Sequence, residues 1–225
     1  MPLITAQHLT TDGSSTPASS FATASIAPTA SRLILIFVSS EVAGNPNTPT
    51  VTGAGLTFTT VLSYRSVSKD TKRITILRAL SQSPSTGALT IDFGGQSQSI
   101  CQWSVAEFAN IDTSGANGAG AIVQSAGNDN NGTSTGIAVT LASFQHPNNA
   151  VAGAAAWGNG NAISPGGAFT TLGTTFNNVR YLSEWANNNQ TNVDFTWASN
   201  NDSSIAIALE IRAMSLNNTF LGGGL

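Results

Sequence analysis

Arg32-Leu33-Ile34-Leu35-Ile36-Phe37-Val38 is a strand-length apolar block headed by a single cation. It shows neither strict alternation nor a helical period, so it reads as a strand covered on both faces. The signature returns as Ala150-Val151-Ala152-Gly153-Ala154-Ala155-Ala156-Trp157, and the flanking segments return with it. Leu56-Thr57-Phe58-Thr59-Thr60 is answered by Ala168-Phe169-Thr170-Thr171-Leu172, and residues 73–78 by Arg180-Tyr181-Leu182-Ser183-Glu184-Trp185. Val105-Ala106-Glu107-Phe108 is answered by Ala208-Leu209-Glu210-Ile211. The chain therefore carries a weak internal repeat, with halves at about 31–112 and 148–213.

Between these blocks the pattern stays β. Leu89-Thr90-Ile91-Asp92-Phe93 alternates strictly, as do Ile205, Ile207, Leu209 and Ile211. Gly-, Pro- and Asn-rich turns separate the segments every 10–15 residues, and no helical period intervenes. That rhythm predicts an all-β sandwich of two antiparallel sheets. One integrated domain over 20–213 is expected, because each half alone has too few strands to cover both faces of a sheet. Residues 1–19 read as an N-terminal arm and 214–225 as a C-terminal arm. The latter carries Phe220 and Leu221 just before a glycine run.

Composition narrows the class of function. Only 8% of the 225 residues are charged, against roughly 25% in ordinary globular domains. Mean hydropathy is +0.06, so neutral Asn, Ser, Thr and Gly take the places usually held by Lys and Glu. A surface of hydroxyls and amides repels its neighbours weakly, which suits a protein that packs against others. It suits an enzyme poorly, since acid–base and metal chemistry need clustered ionisable side chains. The net charge of −3 gives nucleic acid no electrostatic attraction. Cys101 is the single cysteine, so an intrachain disulfide framework is excluded. No run approaches the ~20 apolar residues of a membrane helix. The first eight residues lack the basic and apolar regions of a secretion signal, so export by the general secretory route is not expected.

Individual motifs add little chemistry. His8 and His146 have no Cys, Asp or Glu at metal-ligand spacing. Asn128-Asp129-Asn130-Asn131-Gly132 departs from a calcium loop at Gly127 and at Ala138, and reads as an Asn-Gly turn. The Gly-x-Gly pairs at 53, 118 and 158 lack a third glycine and a following helix. Glu107 and Glu210 fall at equivalent places in the two halves, which argues for a repeated structural role. No catalytic residue, metal ligand or cofactor is assigned.

Two features carry a functional reading. Arg65, Lys69, Lys72, Arg73 and Arg78 fall within fourteen positions around one turn. Such a run either guards a strand edge or forms a positive knob that docks on an acidic surface. Trp157, Trp185 and Trp197 cluster near Asn-rich loops, as in an aromatic platform for a glycan, although Trp in sandwiches is more often core.

The order of an apolar strand, a Pro-rich loop (44–49), Gly55-Leu56-Thr57-Phe58, a basic hairpin and Ala106-Glu107-Phe108 resembles a jelly-roll sandwich. The resemblance spans about residues 20–213. Modules of this kind recur in virion proteins of tailed bacteriophages, including capsid decoration (cement) proteins and tail accessories. It implies a non-enzymatic structural protein on a virion surface, made in the host cytoplasm. The partners implied are the major capsid protein or other virion subunits, and further copies of the chain as a homo-oligomer. Phe220, Leu221, Arg65, Lys69, Lys72 and Arg73 would then dock. The alternative is a carbohydrate- or receptor-binding module of a tail fibre or cell surface, using Trp157, Trp185 and Trp197. Neither reading involves nucleic acid or a membrane.

Overall fold

A computed structural model describes residues 2–69, 71–132, 134–158, 161–199 and 202–215. The apolar run forms β3 (Leu33–Glu41), buried along its length up to the terminal Glu41. It is the middle strand of a five-stranded antiparallel sheet in the order β1 (Thr5–Ser14), β9 (Ile100–Ala109), β3, β7 (Lys72–Ala79), β6 (Thr59–Arg65). A four-stranded sheet packs on one face of it, in the order β2 (Ser20–Ala22), β8 (Leu89–Asp92), β4 (Thr50–Gly53), β5 (Leu56–Thr57).

The second half repeats this plan. Its five-stranded sheet runs β10 (Ile122–Asn130), β17 (Ser204–Ile211), β12 (Ala150–Trp157), β15 (Arg180–Ala186), β14 (Thr170–Phe176). Its outer sheet runs β11 (Gly136–Thr140), β16 (Asn192–Thr196), β13 (Ser164–Pro165). Among the described residues the one helical element is a 3-10 turn, Ala116–Ala121, and no helix is long and apolar enough to cross a membrane.

The molecule is thus an all-β antiparallel sandwich, but of four sheets rather than two. The reason lies in the runs that open both halves. A strand apolar on both faces needs cover on both, and a two-layer stack covers each sheet only once. Leu33, Leu35 and Phe37 point into a central core, while Ile34, Ile36 and Val38 point into the first outer core with Leu89 and Ile91. On β12, Ala150, Ala152, Ala154 and Ala156 face the centre. Val151, Ala155 and Trp157 face the second outer core. The two middle strands meet across the central core, so a row of large side chains beds on a row of alanines. Matching large against small fills such an interface to normal packing density.

The repeat holds at the level of register. Glu107 lies opposite Gln7 and Ile34, and Glu210 opposite Gln124 and Val151. β6 and β14 break register at the same place, between Thr60 and Leu62 and between Thr171 and Gly173. The halves therefore begin at β1 and β10, upstream of residues 31 and 148. Residues 5–14 are a strand and not an arm. They pair with β9 from Ala109 to Cys101, and Ile4 is fully buried in the central core.

β1 packs against β14 and β10 against β6, so the two large sheets face each other across a pseudo-two-fold axis along the strands. At these flanks the backbones come close. A side chain at Gly127 would collide with the Tyr64 ring, and one at Gly173 with Thr11. Polar pairs also cross the core: Ser104 Oγ lies 2.7 Å from both Tyr181 Oη and Ser183 Oγ, and Gln102 Nε2 donates to Val179 O at 2.7 Å.

One side of the second sandwich is closed by amide side chains. Gln124 Nε2 donates to Ala142 O at 3.0 Å, Asn128 Nδ2 to Ala138 O at 2.8 Å and Asn130 Nδ2 to Gly136 O at 3.1 Å. Strand residues two or four apart share a face, so β10 offers a row of donors to the chain running through β11. Neutral amides here take the place of a sheet ladder.

Candidate docking end of the molecule

Most of the basic cluster is engaged within the chain. Lys72 is buried and pairs with Glu41 at 3.0 Å, so it is not a surface contact. Arg73 is a brace for the Pro-rich loop. Its Nε donates to Pro46 O at 2.6 Å, and its guanidinium also reaches Ser63 Oγ and Asn45 Oδ1 at 2.8 and 3.0 Å. Burial, and then Arg65, hold the Arg73 pKa below its usual range. Arg78 donates to Asn117 O at 3.4 Å. Lys69 is exposed and 3.4 Å from Asp202, and Arg65 is exposed at the end of β6.

The turn of this hairpin is organised by a residue from the other half. Asp129 on β10 accepts hydrogen bonds from Tyr64 Oη at 2.9 Å, Ser66 Oγ at 3.0 Å, Val67 N at 3.1 Å and Ser68 N at 2.8 Å. Burial raises the pKa of Asp129, but the bonds from Ser68, Tyr64 and Ser66 outweigh it and leave the carboxyl below its ordinary range. Tyr64 is pushed up to about 12 by burial and by Asp129.

The three tryptophans do not form a platform. Trp157 and Trp197 are buried and stacked on each other, centroids 4.9 Å apart and planes 16° apart. Their indole N–H groups donate to Asp202 O at 3.3 Å and Ser134 O at 3.1 Å. Trp185 is half-buried and meets Phe108 edge-on at 6.2 Å, against the central core. These are the interior roles open to Trp in a sandwich.

Glu107 and Glu210 are both buried and close the entry to the middle strands. Glu107 accepts from Thr29 N at 2.8 Å, Thr29 Oγ1 at 3.0 Å and Arg32 Nη1 at 2.7 Å, just ahead of β3. Glu210 accepts from Asn149 Nδ2 at 2.6 Å, just ahead of β12, and from Gln124 Nε2 at 2.6 Å. Among the described residues no three His, Cys, Asp or Glu side chains come together as a metal site.

A concave region lies at the opposite end from the basic turn. Asn110 follows β9 with a left-handed backbone (φ 61°), a conformation Asn tolerates better than most residues. Its Nδ2 donates to Leu3 O at 2.8 Å and its own carbonyl accepts from Met214 N at 2.9 Å. One residue therefore ties both terminal segments to the junction between the halves. Beside it opens a groove of about 390 Å³, lined among others by Asp112, Val123, His146, Arg212 and Met214. Asn149 secures its base, accepting from Ala213 N at 3.0 Å through Oδ1. Asp112 lies 3.9 Å from Arg212, and its pKa is lowered chiefly by hydrogen bonds from Ser114.

The lining mixes apolar and polar groups with one loose ion pair. Leu3 and Val123 are exposed at 50% and 37%. Phe220 and Leu221 lie outside the described residues. Asn110, Asn149 and Asp129 were not legible as organising residues, because an Asn or Asp at a strand end looks the same in sequence whether it braces or merely turns. No family model, curated protein or solved structure matches the chain.

Proposed function

We propose that the chain is a non-catalytic structural protein of a bacteriophage virion that decorates the shell. It would dock through the end where Leu3, Asn110 and Met214 meet. The observation that carries this reading is the convergence of both terminal segments on Asn110, beside a mixed groove and two exposed apolar side chains. Two further features support it. The strand order β1-β9-β3-β7 facing β2-β8-β4-β5, repeated in the second half, is read here as a jelly-roll wrap. Internal pairing of the basic hairpin leaves an amide- and hydroxyl-rich exterior suited to close packing.

On this reading the major capsid protein and neighbouring copies of the chain are the partners. Cementing means bridging adjacent subunits so that rupture must re-expose apolar surface, at roughly 25 cal/mol per Å². Many identical weak bridges then act together. Contacts that are polar but uncharged are little screened by salt.

The test is whether the protein travels with gradient-purified particles, and at what ratio to the shell subunit. A simple fixed ratio, reduced when residues 216–225 are deleted from the folded protein, is the expected result. Absence from particles would overturn the proposal. Undiminished occupancy by the deletion would take Phe220 and Leu221 out of it.

A further inference from the structure

Glu184 is fully buried on β15 among residues that have no matching charge. The register assigns its counterpart in the first half. Leu77 lies opposite Thr60 and Ile36, and Glu184 opposite Thr171 and Gly153. Where the first half packs Ile36 beside Leu77, the second sets a carboxyl beside a glycine. A side chain at Gly153 would collide with Val193 and the Ile207 carbonyl.

The outer sheet ends in a short strand at this point. In the first half Val51 of β4 and Leu56 of β5 share a core with Leu77, whereas in the second the two-residue β13 packs against β15, and Pro165 within it has no N–H to donate. Gly166, the next residue, donates its N–H to Glu184 Oε2 at 3.2 Å. Glu184 Oε1 is buried with no partner. Asp194 on β16 lies against Gly166, and its charge repels that of Glu184. By sequence β11, β12, β13 and β14 bring no other ionisable group, and β15 itself adds only Arg180 and Tyr181. Tyr181 points to the central core.

We propose that Glu184 is a proton-dependent latch: its neutral form is the one that the closed outer sheet β11-β16-β13 can bury, and its ionisation, which burial without a matching charge penalises, releases that sheet. The inference is independent of the virion reading. Burial, opposed by the Gly166 bond and reinforced by Asp194, raises the Glu184 pKa from 4.5 to about 9. The closed form therefore keeps its proton up to about pH 9, while an opened, hydrated form gives it up above pH 4.5. The sign follows. Closure is fully favoured below pH 4.5 and is lost as pH rises towards 9, with opening growing by up to about tenfold per pH unit between.

Hydrogen exchange of the full chain tests this, followed by mass spectrometry from pH 5.5 to 8.5 and corrected for intrinsic exchange. Protection of the peptide covering 161–170 is expected to fall by up to tenfold per pH unit, while the peptide covering 50–57 stays level. Glu184→Gln should remove the slope. Glu184→Leu, carrying the residue of the equivalent site, should do the same and guards against a variant that fails to fold. Asp194→Asn should end the slope at a lower pH. A slope that survives both Glu184 variants overturns the latch, as does one shared equally by both peptides, which would mark global unfolding.

Discussion

Glu107 and Glu210 stand at the same register position in the two halves, each buried and each gripping the residue that leads into a middle strand. A shared position could suggest a catalytic pair. Instead each carboxylate has its own set of donors within its own half, and the two serve as twin clasps. Removing one clasp leaves buried or half-buried donors without an acceptor, which costs about 1–3 kcal/mol. Glu107→Ala and Glu210→Ala should each lower stability by that order in urea unfolding. An unchanged midpoint for either would show that clasp to be idle.

The stacked pair Trp157 and Trp197 belongs to the second outer core. Truncating a large buried aromatic typically costs about 3–5 kcal/mol, and Trp197→Ala should fall in that range. Acrylamide should quench the indole emission poorly in the native chain, and glycans should leave it unchanged. Strong glycan-dependent quenching would revive a sugar-binding role.

Gly127 and Gly173 allow the flanks of the two large sheets to approach. Gly127→Val should push the Tyr64 ring off β10 and loosen the turn that Asp129 holds. Overpacking of this kind costs about 1–3 kcal/mol, readable as a lower Tm. The near-ultraviolet tyrosine signal should change with it.

Acid acts on Asp129 in the opposite sense to the latch. Its folded pKa lies below its ordinary value of 3.8. The stability it lends the turn is therefore full above that value and is lost as pH falls through the folded one. Amide exchange at Val67 and Ser68 should accelerate in that acid window beyond the intrinsic trend, and Asp129→Asn should abolish the dependence.

Much of the architecture could be read from the chain because burial leaves marks that survive in sequence. The 33–38 run, the alternating 205–211 strand and the twin Glu positions announced the β class and the repeat. The number of layers was harder to read. Outer strands such as β2, β5 and β13 span only two or three residues, too few to show a period. The basic cluster misled for a different reason. Charge is visible in sequence, but whether Lys72 meets solvent or Glu41 depends on a strand 31 residues away. Tryptophan is equally mute, since one side chain serves a platform or a core.

The large-on-small bedding of the central core also bears on which surfaces can recognise each other. Two copies of the first half, brought together by their inner faces, would set Leu33, Leu35 and Phe37 against the same row and overfill the gap. Two copies of the second half would oppose alanines and leave a void. Only the unlike pair fits, so a chain that carries both halves holds its sole good mate by a covalent tether. Assembly of the central core is then unimolecular and independent of protein concentration. Exchange of halves between molecules gains nothing over the partner already attached.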